Sequence, residues 1–353
     1  MLIASMSSTS AGTGTTAGGR LRWGILLAVT ALVLAGAGIY AVGAYQRFEE
    51  SRTAGSSVGV TAGQPLPGVP FVLFRNTAGG QGYGNAATVP LSAPGGTRAV
   101  SEQACERVYG TAAVVVCLRS NRGLVTTYDA AVLNRDWQQD RAWPVPGIPS
   151  RTRISQDGSV IATTVFVSGH SYTQAGFSTA TEITVPDGGT GNLEDFALLV
   201  NGERLLASDR NIWGVTFAPG QSEVFYATAA SSGRIWLVRG SLKDKTLTAI
   251  HDNVECPSIS PDGTRIAYKK NIGGPLTAHW NVALLDLATG VETVLSEKRS
   301  VDDQIEWLDN QNLLYGLADE DTEGDSNIWK LGTDPASQPS LFIEHAWSPS
   351  VVR

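Results

Sequence analysis

Polar and apolar positions alternate through most of the chain in short runs separated by tight turn signals, the pattern of strands rather than helices. Ile259-Ser260-Pro261-Asp262-Gly263-Thr264-Arg265-Ile266-Ala267-Tyr268 shows it well: a strand end, a turn in which Asp-Gly supplies a positive φ, and an apolar strand. Ile154 to Thr163 repeats it closely and Phe217 to Tyr226 more loosely. Trp307 to Tyr315 is a fourth copy, and degenerate copies start at Val108 and Trp347. The six starts lie about 46, 63, 42, 48 and 40 residues apart, the spacing of propeller blades with one long insertion.

Each unit reads as four strands. In the fifth these are Cys256 to Ser260, Arg265 to Lys269, Val282 to Asp286 and Val291 to Leu295, with Leu287-Ala288-Thr289-Gly290 as the second turn. Phe71 to Phe74, Ala86 to Leu91 and Arg98 to Val100 read as three strands without an inner partner, and the copy at Trp347 reads as an inner strand without outer ones. Joining them closes a ring of six four-stranded blades and removes exposed edges.

One segment breaks the alternation. Residues 23–46 carry no charge and are long enough, at about 1.5 Å per residue, to span a bilayer, with Trp23 and Tyr45 suited to the interfaces. Arg20 and Arg22 precede the run, and Arg47, Glu49, Glu50 and Arg52 follow in mixed sign, which favours a cytoplasmic N-terminus and an extracytoplasmic remainder at the cell membrane. The alternative is a signal peptide cut near Val42-Gly43-Ala44, giving a secreted protein. The organisation expected is a flexible tail over 1–19, a signal-anchor over 20–46, a Ser/Thr/Gly/Pro stalk over 47–68 and an all-β propeller over 69–353. Gly55-Ser56-Ser57-Val58-Gly59 matches a nucleophile elbow by letter only, since it lacks the strand before and the helix after.

The Ser-Pro-Asp-Gly-x-x-Ile-Ala motif at Ser260 to Ala267 resembles that of the TolB-like six-bladed β-propellers. Glu255-Cys256-Pro257, Ser300-Val301-Asp302-Asp303-Gln304 and His345-Ala346-Trp347-Ser348-Pro349 are similar to an actinobacterial subgroup described as TolB-like translocation proteins. The resemblance covers about residues 65 to 353 and implies a propeller that presents a protein-binding or ligand-binding face. Periplasmic TolB is soluble and carries an additional α/β domain before its propeller; neither feature is read here, so a Tol–Pal role does not transfer.

Charge and chemistry narrow the function. A net charge of −7, with no basic run, argues against nucleic acid. Cys105 and Cys117 flank a hairpin centred near residue 111, which predicts directly opposite positions and, outside the cytoplasm, a disulfide. Cys256 is left unpaired and has no histidine at a recognisable spacing, so it reads as structural rather than nucleophilic. The acidic run Asp319, Asp321, Glu323, Asp325 is a weak match to a calcium loop, because the twelfth position is Lys330. The four histidines show no zinc spacing, and no cofactor is expected.

Inner-strand alternation places Cys105/Arg107, Arg151/Arg153, Gly214/Thr216, Cys256/Ser258, Gln304/Glu306 and Glu344/Ala346 on one face. The expectation is a hydrated channel in which Arg107, Arg151 and Arg153 oppose Glu306 and Glu344, with Glu255, Cys256, Ser258 and His345 beside them. Asp209, Arg210, Asp302 and Asp303 would stand at one mouth. The function expected is a non-catalytic, membrane-tethered module that binds a protein or envelope component, using Ser168 to Gln174 and Gly191 to Phe196 of the insertion as adaptable loops. The alternative is a propeller hydrolase or lactonase with a metal in the channel, which needs converging carboxylates where this chain offers Arg and Cys as readily.

Overall fold

A computed structural model describes residues 17–53, 58–63, 65–167, 178–185, 188–274 and 277–353. Ser168 to Gln174 lie outside them, as do residues 1–16 of the expected tail. The chain divides into two compact units, 1–54 and 55–353. The first contains one α-helix, Ala17–Thr53, longer at both ends than the apolar run. Its segment Leu21–Arg47 contains an 18-residue window of mean hydropathy 2.4 and is long and apolar enough to cross a membrane.

The second unit is a six-bladed β-propeller whose inner strands touch in cyclic order. Blade one takes its inner strand, Ala346–Val352, from the C-terminal end, and its next three, Phe71–Asn76, Asn85–Pro90 and Arg98–Ala104, from the N-terminal side. The inner strands of blades two to six are Arg107–Gly110, Ile148–Ile154, Asn211–Ala218, Glu255–Ile259 and Glu306–Asp309.

Two edge additions depart from the four-strand expectation. Val60–Ala62, inside the expected stalk, pairs parallel to Arg98–Ala104 with Val60 opposite Arg98. Part of the insertion, Ala197–Val200 with Glu203–Arg204, extends blade four beyond Thr246–Asp252. Each addition covers an outer strand that would otherwise present unpaired backbone.

Strand period explains the core. In Val115–Asn121, Val115 and Cys117 pack against blade one while Val116 and Leu118 pack against blade three. Ile266 and Tyr268 likewise face blade four, and Ala267 faces blade six. Both faces of a second strand are therefore buried, which is why these runs are continuously apolar. Among the described residues, six apolar clusters fill the six blade interfaces.

The repeated turn is held by its own side chains. Ser260 Oγ donates to Asp262 Oδ1 at 2.6 Å, and the same oxygen accepts from the Thr264 backbone N–H at 3.0 Å and hydroxyl at 2.7 Å. Ser155, Asp157 and Ser159 repeat this at 2.6, 3.0 and 2.7 Å. Gly263 and Gly158 both take φ +74°, the left-handed conformation in which a Cβ is costly.

The ring closure has its own fastener. Arg98, fully buried, donates to the carbonyls of His345 at 2.9 Å and Glu344 at 2.8 Å and to Asn76 Oδ1 at 2.8 Å. It joins the outermost four-strand position of blade one to the segment leading into the closing strand.

Candidate functional site

The inner strands define two mouths: a leading one where they begin and a trailing one where they end. At the trailing mouth a cavity of about 660 Å³ is lined by Tyr109, Arg153, Ser258, Glu306, Asn310 and Arg353, among others. Its charges neutralise one another. Arg153 lies 3.3 Å from Glu306 and 4.3 Å from the centre of the Tyr109 ring, and it donates to the Ile305 carbonyl at 2.9 Å. Glu306 also accepts from the Val351 N–H at 3.1 Å and from the Tyr109 hydroxyl at 3.3 Å. Burial pushes the Glu306 carboxyl up, against the pull of Arg153; burial and then Glu306 push the Tyr109 phenol up.

At the leading mouth the chain gathers Arg75, Arg107, Arg151 and Lys269. Lys269 Nζ is 2.6 Å from Asp302 Oδ1 and 4.4 Å from the centre of the Trp280 ring, and Arg151 approaches the same Asp302 oxygen at 3.8 Å. Glu255 accepts the Trp280 indole N–H at 2.8 Å. Asp303 is buried and accepts the Gly316 N–H at 3.1 Å. A second cavity, about 340 Å³, is lined by Arg75, Tyr83, Glu106, Arg107, Pro149 and Trp347, among others.

The expected single channel face is thus divided. Arg153, Ser258 and Glu306 meet at the trailing mouth, whereas Arg107 lines the leading one. Of the proposed charge oppositions the structure makes only Arg153 with Glu306 among the described residues. Glu344 is exposed and engages through its carbonyl, and His345 turns to Asp325 at 2.6 Å. The cause is a bulge in the inner strands: ladder register shifts between Trp213 and Thr216, between Glu255 and Ser258, and at Ser348-Pro349, and each shift resets the alternation.

Gly214, Cys256 and Ser348 occupy these bulges with φ of +67°, +49° and +56°. Cys256 is buried there. A Cβ on Gly214 would sit 2.6 Å from the Cys256 Cα, so two neighbouring inner strands meet where only glycine fits.

Other expectations shift as well. Cys105 and Cys117 form a disulfide with Cα atoms 5.3 Å apart, but the ladder partner of Cys117 is Val108. The hairpin turns later than residue 111, so Cys105 reaches its partner from the approach to the strand, and both sulfurs lie in the core between blades one and two. Asp209 is not turned to the mouth; it binds the Ser231 hydroxyl at 2.6 Å and the Ser232 N–H at 2.7 Å, capping a hairpin of its own blade. Arg210 donates to the carbonyls of Ala207 and Phe196.

The acidic run does not converge. Asp319 accepts from the Asp321 and Thr322 N–H groups of its own turn, and Asp325 is held by Thr77 and His345. Among the described residues no three Asp, Glu, His or Cys side chains are placed to share a metal. The sequence reading does not single out Arg75, Tyr83, Lys269, Trp280 or Tyr109: Arg75 and Lys269 come from second strands, Trp280 from a third strand, Tyr83 from the hairpin between second and third strands of blade one, and Tyr109 from the inner strand two residues beyond Arg107.

Fold and site define a six-bladed propeller with a polar, charged channel and a fold like that of TolB. No family profile matches the chain, and no curated protein matches it. Solved structures do. TolB from Acinetobacter baumannii superposes with a TM-score of 0.54 at 14% identity, covering 82% of this chain and 68% of that one. A putative TolB from Agrobacterium tumefaciens gives 0.49 at 11% identity over 79% and 91%. An oligogalacturonate lyase in complex with manganese gives 0.45 at 10% over 73% of each. At these identities the likeness is one of fold alone.

Proposed function

We propose that this protein is a non-catalytic binding module, anchored by its apolar helix with the N-terminus in the cytoplasm and the propeller outside, which engages a protein or envelope component at the leading mouth and its rim. On this reading it sits with the actinobacterial TolB-like translocation proteins, whose Glu-Cys-Pro and Ser-Val-Asp-Asp-Gln segments its leading mouth uses. The observation that carries it is the arrangement of the ionisable groups. The carboxylates among the described residues are paired with separate cations, as in Arg153 with Glu306 and Lys269 with Asp302, instead of converging on one point as a metal or a reacting atom requires. Cys256, buried at a bulge, has no histidine partner among the described residues.

The test is proximity labelling in the native cell with the full chain, followed by reconstitution of the labelled protein with the purified chain. A partner that binds the wild type and loses binding on Lys269→Met and Trp280→Ala is expected. Stoichiometric metal in the purified protein, with a large drop in melting temperature on adding chelator, would overturn the reading in favour of a channel metalloenzyme.

A further inference from the structure

The leading mouth contains a guanidinium that the fold leaves without a direct ion pair among the described residues. Arg107 donates Nε to the Ser150 carbonyl at 2.7 Å and lies 5.4 Å from the centre of the Trp347 ring, and among the described residues no carboxylate forms an ion pair with it. Burial first, and then the neighbouring Arg151, push its pKa down to about 10 against the pull of Asp303 and Asp302, so it is charged at neutral pH.

Asp302 is paired with Lys269, and Asp303, which accepts the Gly316 N–H, acts on Arg107 only from a distance and forms no ion pair with it. Arg75 is nearly as free. It donates Nε to the Cys105 carbonyl at 3.0 Å, stands 5.4 Å from the centre of the Tyr83 ring, and meets Glu106 only at 3.8 Å. A withdrawn cation without a counter-ion is costly, and a cavity of about 340 Å³ opens where a counter-ion would sit.

Shape selects the ligand more than net charge does, because Glu106 and Asp325 also line the cavity and offset the two arginines. A planar carboxylate matches a guanidinium fork, and Trp347, Tyr83 and Pro149 offer apolar walls to its methylene stem. Ile148 and Phe166, paired across the ladder next to Pro149, are 56% and 39% exposed and give an adjoining apolar step.

We infer that the leading-mouth cavity receives the carboxylate of an acidic side chain on a protein partner, with Arg107 as its anchor, Arg75 as the second cation and the Ile148–Phe166 step under an apolar neighbour of that residue. This deepens the proposed binding role and rests on it for the partner being a protein.

The experiment is saturation-transfer NMR on the full chain in detergent micelles, with acetyl-Leu-Glu-amide, its isostere acetyl-Leu-Gln-amide and inorganic phosphate as probes. The glutamate peptide should saturate at least about five-fold more strongly than the glutamine peptide, and Arg107→Met should remove that difference while Arg141→Met, on an outer strand, leaves it intact. Equal saturation of the two peptides, indifference to Arg107→Met, or displacement of the glutamate peptide by a lower concentration of phosphate would each overturn the assignment.

Thermal melting supplies an independent readout: Arg107→Met loses the Ser150 carbonyl bond and the Trp347 contact together with the cost of a withdrawn cation, so the melting temperature should change little, and a large fall would show that Arg107 serves the fold rather than a ligand. Loss of carboxylate binding with partner capture intact would sink the subsite alone. Carboxylate binding without any partner would sink the broader role alone.

Discussion

Replacing Arg98 by Met tests whether ring closure depends on one side chain. The substitution keeps most of the apolar stem but removes the guanidinium, which lies 5.3 Å from the centre of the Phe74 ring, and with it three charge-assisted hydrogen bonds, to the His345 and Glu344 carbonyls and to Asn76 Oδ1. Bonds of that kind contribute about 1.5–3 kcal/mol each, and the acceptors would be left without their donor in a dry interface. Against this stands the cost of withdrawing the guanidinium from water, which is large enough to push its pKa down to about 10. The balance is a destabilisation of about 3–5 kcal/mol, or roughly 6–12 °C in melting temperature for a domain of this size.

Differential scanning calorimetry measures the shift. Limited proteolysis should in addition cut first within Ala346–Val352, since the clamp acts on the segment that leads into it. A melting temperature within about 2 °C of wild type, with unchanged proteolysis, would refute the reasoning and show that blade packing alone closes the ring.

Three further outcomes follow from the same geometry. Reducing the Cys105–Cys117 disulfide, or replacing both cysteines by Ser, should cost about 2–3 kcal/mol, read as a lower denaturant midpoint, because the cross-link closes a loop of sequence separation 12. Gly214→Ala should destabilise by about 2 kcal/mol or more through its approach to Cys256 and its positive φ, whereas Cys256→Gly should be neutral or stabilising, as thermal melts of the pair will show.

The third concerns pH. Burial alone would raise the Glu297 carboxyl, but Arg299, Tyr315 and the Arg299 N–H hold it down at about 2, from an ordinary 4.5. Its folded value is the depressed one, so its contribution, of order 2 kcal/mol, is complete above about pH 4.5 and is lost as pH falls toward 2. Denaturant titrations between pH 2 and 6 should show that slope flattened in Glu297→Gln.

The architecture was legible because turn chemistry repeats. Asp-Gly must recur wherever a short hairpin needs a left-handed residue, so Ser155 to Ser159 and Ser260 to Thr264 announce the same object twice. The leading mouth was less legible because a bulge leaves no mark in side-chain period. Glu344 and His345 are misplaced because they precede the closing strand, which begins at Ala346, so strand alternation does not extend to them. The strands Val60–Ala62 and Ala197–Val200 were unreadable for a different reason: they are short and gain their place by pairing parallel to an edge formed elsewhere in the chain. Arg98 gave no signal at all, since one arginine in a strand reads as solvent-facing until the segment it clamps, some 246 residues distant, is in place.

Blade one also sets a schedule for biogenesis. Its outer strands emerge early, and the inner strand that completes them is synthesised only after the other five blades, so the nascent domain waits with an open seam between Phe71–Asn76 and blade six. Until Ala346–Val352 arrives, that seam is a strand-shaped vacancy that any extended peptide could fill, including the same segment of another copy. Folding of this protein therefore depends on how long that vacancy is shielded, and substitutions that weaken the closing strand should appear first as lost yield or swapped dimers.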